Sequence, residues 1–518
     1  MPAVSVTPAD WAALRARITG EVVVQGSPGY DQARQPAIAR FQDARPQAVV
    51  FCATAEDVAE AFAVARRSGL PAVPRSGGHC FAGRSSGPGM VIDVTPMRSV
   101  SVKGEVATIG AGARLGEVYD ALDGQGLTIP AGCGPGVGIA GLTLGGGLGI
   151  LGRTHGLTCD SLLAARVVLA DGSAIACDGN QASDLFWALR GAGHGTFGVV
   201  TSLDFRTRPE PATTAFHLTW PYDHAEQVVR AWQDWAPAAP GELAASLLIT
   251  ASSARPPEVN VFGAMLGGEA ATVRMLGELK VPDPATAHTK PMPYRDTKRH
   301  LAGLGDQMTA AVPEAGHSFV KSEFFRRPLP DGAVAALVAG LGRDLRPGQA
   351  RELDFSPWGG AYNRVAADAT AFPHRDALFL LKQAVTVSPA DGQAAARDWL
   401  ARSWAAVHPW GTGGAYPNFP DPDLADPGRA YYLGNYGRLR QVKARYDPAG
   451  FLARSDRVGD RREPTGLSGE QRFPPAAWLW DQPSCSGPRV RLKVFPGPGM
   501  SRLRTPVVRP QPCSGGIV

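Results

Sequence analysis

Residues 131–172 read AGCGPGVGIAGLTLGGGLGILGRTHGLTCDSLLAARVVLADG, and this stretch decides the fold. Gly138, Gly141, Gly145, Gly146, Gly147 and Gly149 crowd into a dozen positions. Such a run strips away side chains and lets the backbone adopt positive φ and approach a partner closely. It does not open a helix after a first strand as GxGxxG does, so a dinucleotide fingerprint fits it poorly. Taken alone, a Gly-rich turn that serves only packing would explain it.

Two further clusters change the weighing. PRSGGHCFAG spans 74–83 and RGAGHGTFGVVTSLDFRTRP spans 190–209. In the first, Gly77 and Gly78 permit a tight turn, Arg75 offers a charge-assisted hydrogen bond, and His79 sits at the tip. A lone His after two glycines is most often an ordinary loop residue. Three separated Gly-rich turns on one strand-rich region point to a single extended ligand held along its length. Bare backbone N–H groups of this kind line a pyrophosphate or a flat isoalloxazine ring.

The flanking sequence sets the frame. PQAVVFCAT reads as a buried strand and TAEDVAEAFAVARRSGL as a helix capped by Thr54 and ended by Gly69. LPAVPRSGG then returns as a strand, which predicts a parallel pair with a right-handed crossover. MVIDVT, VSVKGEVATIGAG, RVVLADGSAIAC and GVVTSLDFRTRP add short strands. Residues 1–207 therefore read as one α+β domain. Residues 208–410 alternate strands (AFHLTW, AASLLIT, NVFGAML) with amphipathic helices, which predicts an antiparallel sheet with helices on one face. Residues 411–456 return to the first domain, with one amphipathic helix expected over 429–447. Residues 457–518, rich in Pro, Gly, Arg and Ser, read as a disordered tail.

Charge and cysteines exclude several classes. Of 52 Lys/Arg and 47 Asp/Glu, the tail holds ten and four, so the remainder is near neutral with 42 and 43. That gives no electrostatic case for nucleic acid or an anionic membrane. Seven cysteines without regular spacing argue against a disulfide framework or a metal site. With neither a signal peptide nor a membrane-spanning run in view, cytoplasm is the expected location.

The ordered set PRSGGHCFAG, VGIAGLTLGGGLGILGRTHGLTCD, RGAGHGTFGVV, GGAYNRVAADATAFPHR (359–375), AYPNFPDPDL (415–424) and AYYLGNYGRLRQVKARYDP (430–448) resembles the berberine-bridge-enzyme-like FAD-linked oxidases. Their flavin domain is of the PCMH, or vanillyl-alcohol-oxidase, type. The resemblance implies FAD bonded covalently through His79. It places Arg75, Ser76, Gly77, Gly78 and Gly83 along the pyrophosphate. Gly138, Gly141, Leu142, Thr143, Gly146 and Gly147 would wrap the ring and ribityl chain, Gly198 and Val200 would lie by the adenine half, and Asn435 near the ring. It further implies proton removal from an alcohol, hemiacetal or amine, hydride transfer to flavin, and O₂ as acceptor with H₂O₂ released. The substrate is a small molecule, with sugars and secondary metabolites as the family's range. A dehydrogenase with another acceptor, or a flavoprotein that only binds ligand, are the alternatives.

Two departures stand out. Many relatives add a second, cysteinyl link to flavin, but here that position is Gly134 and Cys133 lies one place early. A one-residue slip in an extended segment turns a side chain to the other face, so a single link is expected. Relatives with YxNY carry a tyrosine base there, whereas this chain reads Tyr416-Pro417-Asn418-Phe419. Tyr416 and Tyr362 are the candidate catalytic residues. His374 and Arg375 are expected to fix the second sheet, and His155 and His194 to be structural or flavin-adjacent.

Overall fold

The computed structural model describes residues 6–309, 316–388 and 392–452. The expected tail lies outside the described residues. Among those described, no helix is long and apolar enough to cross a membrane.

The N-terminal part builds two sheets. Helix Ala55–Arg67 begins as its sequence requires: the Thr54 hydroxyl accepts from the Asp57 N–H and the Asp57 carboxylate accepts from the Thr54 N–H. Asp57 is buried because it also takes the N–H groups of Thr19, Gly20 and Ala53. The strands on either side of this helix, Ala48–Phe51 and Ala72–Arg75, are parallel as expected but not adjacent. Met90–Asp93 lies between them, parallel to both. Its fully buried Val91 and Ile92 explain the central position. The second sheet is wholly antiparallel, in the order Val100–Lys103, Val106–Gly110, Val199–Arg206, Leu162–Val168, Ala174–Asp178.

Residues 212–387 form a seven-stranded antiparallel sheet. Alternation along each strand gives it two faces. Trp220, Leu247, Val261, Leu353, Phe355 and Leu381 point outward, where helices Ala225–Ala238, Asp331–Gly342 and Gln393–Ala405 cover them. Trp232 anchors this layer, its ring against Phe355 and Phe379 and its indole N–H on the Ala245 carbonyl at 2.9 Å. The opposite, inner face meets the Gly-rich segments: Ala264 packs with Ile150 and Leu151, and Phe324 and Leu380 with Leu157. One helix departs from the one-face expectation. Tyr294–Thr309 lies against the inner side, with Thr297 hydrogen-bonded to Thr213.

The two parts are fastened by buried polar contacts. Arg153 donates to the carbonyls of Ala236, Pro237, Ala239 and Leu243. Arg375 holds Asp160 through both nitrogens at 2.7 Å. The single helix expected over 429–447 is broken into Pro427–Tyr432 and Tyr436–Tyr446. Leu433 turns with φ +43° between them, and the Asn435 amide donates to the carbonyls of Ala367 and Thr370 rather than facing solvent.

Candidate active site

The PRSGGHCFAG turn leaves the end of strand Ala72–Arg75. Gly78 and Gly83 adopt φ +73° and +67°, and a Cβ on Gly83 would strike the Phe41 ring. Among the described residues, no backbone N–H from Gly77 to Ala82 donates to a protein acceptor. A row of unengaged N–H groups on a tight turn is an anion receptor. Gly77 touches Gly138 so closely that a Cβ on either would collide with the other's backbone, and the Ser76 hydroxyl donates to the Ala111 carbonyl at 2.7 Å. The first and second Gly clusters therefore share one floor.

His79 packs against Gly136 on that floor. Burial and the nearby Arg114 guanidinium hold its imidazole below the ordinary histidine pKa, against a hydrogen bond with the Gly136 backbone that works the other way. The ring is thus held neutral, the form in which a ring nitrogen can act as a nucleophile.

The Gly146–Gly147 corner carries φ +114° and +91°, and a Cβ on Gly147 would run into Thr158. A Cβ on Gly141 would meet nothing within 4 Å. The Gly147 N–H donates to the Tyr416 hydroxyl oxygen at 3.0 Å, and the Asn418 side-chain N–H donates to the same oxygen at 2.9 Å. The Asn418 amide also donates to the Leu142 carbonyl, and its oxygen lies 2.8 Å from His194 Nε2. That nitrogen also faces the Gly141 carbonyl at 3.0 Å. Both neighbours are acceptors, so Nε2 carries the hydrogen. Tyr416 is fully buried, and burial pushes its phenol pKa up, opposed by its two donors. Its backbone N–H is fixed by the Ser322 hydroxyl at 3.0 Å. Tyr362 differs: it stacks on Trp358 and its hydroxyl donates to the Gly149 carbonyl at 3.3 Å. Burial raises its pKa as well.

Other expected ligand contacts are engaged elsewhere. The Arg75 guanidinium pairs with buried Asp93 at 2.6 Å and donates to the carbonyls of Arg34 and Ala33, so it faces away from the turn. The reason is that an unpaired Asp93 in that core would be costly. Arg75 contributes its backbone to the turn, not its charge. The Thr143 hydroxyl is tied to the Ile139 carbonyl within its own helix, leaving its methyl and backbone as the surfaces it can offer. Gly198 allows close sheet packing, since a Cβ there would lie 2.5 Å from the Val168 carbonyl, and Val200 pairs with Val167 beside it. Cys133 packs against Ile150, Leu151 and Tyr294, and burial raises its thiol pKa to about 11. His374 is a neutral core residue: burial lowers it to about 3, it stacks on Phe324, and it contacts the Tyr431 carbonyl at 3.0 Å.

FAD fits this arrangement. The Gly77–Ala82 N–H row would hold its pyrophosphate, His79 would stand at the ring, and the open side at Gly141 would accept the flat isoalloxazine, while Gly146 and Gly147 let Phe372 and Thr158 pack close behind it. Sequence reasoning missed Arg114, Ser322 and the hydrogen-bond chain from His194 through Asn418 to Tyr416. The last joins residues 224 and two positions apart, which no local pattern encodes.

Comparison with known proteins places the chain among FAD-linked oxidoreductases. Residues 46–178 match the sequence profile of an FAD binding domain, and residues 415–455 that of the berberine and berberine-like family. The chain is 34% identical to the uncharacterized FAD-linked oxidoreductase YgaK of Bacillus subtilis (strain 168), over 84% of this chain and 95% of that protein. It is 31% identical to aclacinomycin-N/aclacinomycin-A oxidase of Streptomyces galilaeus, over 78% of this chain and 83% of that one. The solved structure of Physcomitrella patens BBE-like 1 superposes with a TM-score of 0.78 at 26% identity, covering 86% of this chain and 98% of that one.

Proposed function

Because the chain belongs to the berberine-bridge-enzyme-like family of FAD-linked oxidoreductases, we propose that it is an oxidase that holds FAD covalently through His79. The observation that carries this reading is His79 packed against Gly136 beside a row of N–H groups that donate to no described protein acceptor. When bound, FAD supplies the two-electron acceptor for a hydride from an alcohol, hemiacetal or amine carbon, with O₂ as the final oxidant and H₂O₂ as product. The chain's own residues hold, orient and deprotonate.

Tyr416, rather than Tyr362, takes the proton. Its oxygen already accepts two N–H groups, which is the environment a phenolate needs, whereas the Tyr362 hydroxyl is committed as a donor to Gly149. Asn418, aligned by His194, and Gly147 orient the phenol. The inner face of the seven-stranded sheet closes over the site and excludes bulk water, which strengthens each of these dipoles. The test is a peroxide-coupled screen of alcohols, sugars and amines, with Tyr416→Phe alongside. Peroxide formed by wild type and lost in the variant supports the reading. Substrate-dependent reduction of a synthetic acceptor without any peroxide would overturn the assignment as an oxidase.

A further inference from the structure

Strand His317–Phe325 is an edge of the seven-stranded sheet and carries Ser322 and Phe324 on its inner face. Alternation turns Glu323 to the outer face, level with the buried Leu381. The Glu323 side chain is 2% exposed, and Lys321 on the same face of the strand is taken by Asp421 at 2.6 Å. The carboxylate is met instead by three donors from one stretch of chain. The Gly413 N–H donates to Oε1 at 2.7 Å, and the Trp404 indole N–H and His408 Nδ1 each donate to Oε2 at 2.9 Å. Burial pushes the Glu323 carboxyl pKa up, and these donors oppose it. His408 is the half-exposed member and stacks on Trp404 at 3.9 Å. A Cβ on Gly411 would run into the carboxylate, so the turn closes over it only with glycine there.

That stretch leads directly to Tyr416. The Thr412 N–H donates to the Phe324 carbonyl at 2.9 Å, the Phe324 N–H to the Gly414 carbonyl at 3.0 Å, and the Tyr416 N–H to the Ser322 hydroxyl at 3.0 Å. Residues 412–416 are thus stitched along the open edge of the strand, held by Glu323 from the outer face and by Ser322 from the inner. The phenol has little tolerance for movement. Its oxygen meets the Gly147 and Asn418 N–H groups at 3.0 and 2.9 Å, and a general base works only within about 2.6–3.2 Å of its proton donor. We propose that Glu323 is a positioning residue for Tyr416, a buried carboxylate on the far face of the sheet that fixes the register in which residues 412–416 deliver the phenol. This rests on the proposed role of Tyr416 as the base.

Glu323→Gln is isosteric and can still accept from Gly413, but it turns an amide N–H₂ toward the Trp404 and His408 donors. His408→Phe keeps the stack on Trp404 and removes one donor at a half-exposed site, so it carries the test if Glu323→Gln does not fold. Two readouts are taken on the flavin-loaded full chain. The first is the fluorine resonance of a Tyr416→3-fluorotyrosine protein, which needs no substrate. It should be displaced or split by Glu323→Gln and moved less, in the same direction, by His408→Phe. The second is anaerobic flavin reduction by the alcohol, sugar or amine that forms peroxide in the screen above. Glu323→Gln should slow it about tenfold or more with substrate affinity little changed, yet slow it no further in a Tyr416→Phe background, because a residue that acts only through the phenol has nothing left to position. A general structural defect would slow both backgrounds by the same factor. That result, or a fluorine resonance unmoved by either variant, would overturn the inference. A protein that oxidises nothing in the screen would sink the oxidase reading, while the fluorine resonance would still report whether Glu323 holds Tyr416 in place.

Discussion

Replacing Tyr416 by Phe removes one oxygen and nothing else from a fully buried ring that packs against Phe324, Phe372 and Phe419. The ring contacts persist, so the core keeps its volume. The Asn418 amide retains the Leu142 carbonyl as an acceptor, but the Gly147 N–H loses its only described partner. Leaving one buried donor unmade costs about 1–3 kcal/mol. The catalytic loss is separate and larger: a positioned general base contributes roughly 10²–10⁴-fold. Flavin reduction by substrate, followed anaerobically in a stopped-flow instrument, should slow by that factor while the spectrum of the bound flavin is nearly unchanged. Tyr362→Phe should slow it far less. A Tyr416→Phe enzyme that reduces its flavin within a few-fold of wild type, beside an inactive Tyr362→Phe, would refute the assignment of the base.

Burial holds the Tyr416 phenol above its ordinary pKa of 10.0, and a base must be unprotonated to act. Log kcat/KM should therefore climb with pH through the basic range, and a plateau reached below neutrality in the pH–rate profile would point to a different base. Gly147→Ala forces a side chain onto φ +91° and into Thr158; a cost of about 2–5 kcal/mol from backbone strain and overpacking should appear as a lower denaturation midpoint together with loss of flavin. Arg375→Met leaves Asp160 buried without its partner, and a penalty of about 3–5 kcal/mol should be largely recovered in the Arg375→Met/Asp160→Leu double variant, as read by urea unfolding. His374 is held near 3 in the fold against 6.5 when free. Its contribution is thus fully present above about 6.5 and lost as pH falls toward 3; His374→Gln should flatten that part of the stability–pH curve.

Features set by local chemistry were legible in the sequence. The Thr54 cap, the strands around the Gly clusters, the α+β class and the antiparallel sheet with its outer helices follow from periodicity, capping and glycine placement. Contacts that depend on distant residues were not. Met90–Asp93 inserts between two strands that read as neighbours because its four buried residues demand the centre of the sheet, which only the assembled fold reveals. The helix over 429–447 breaks at Leu433 because Asn435 turns inward to the carbonyls of Ala367 and Thr370, a contact across more than sixty residues. The Gly-rich motifs marked the floor of the site, but Arg75 shows the limit of motif reasoning. Its place in the turn is as expected, while Asp93, 18 residues away, decides where its charge goes. The ion pairs of Lys382 with Glu352 and Asp354 were invisible for the same reason, because those side chains meet only through strand register.

The central claim, a flavin bonded to His79, is tested most directly on a denaturing gel of the purified protein, read by flavin fluorescence after acid treatment, beside His79→Ala. A fluorescent band that migrates with the wild-type chain and is absent from the variant is the predicted result. A wild-type chain with no fluorescent band, its flavin released into solution on denaturation, would contradict it.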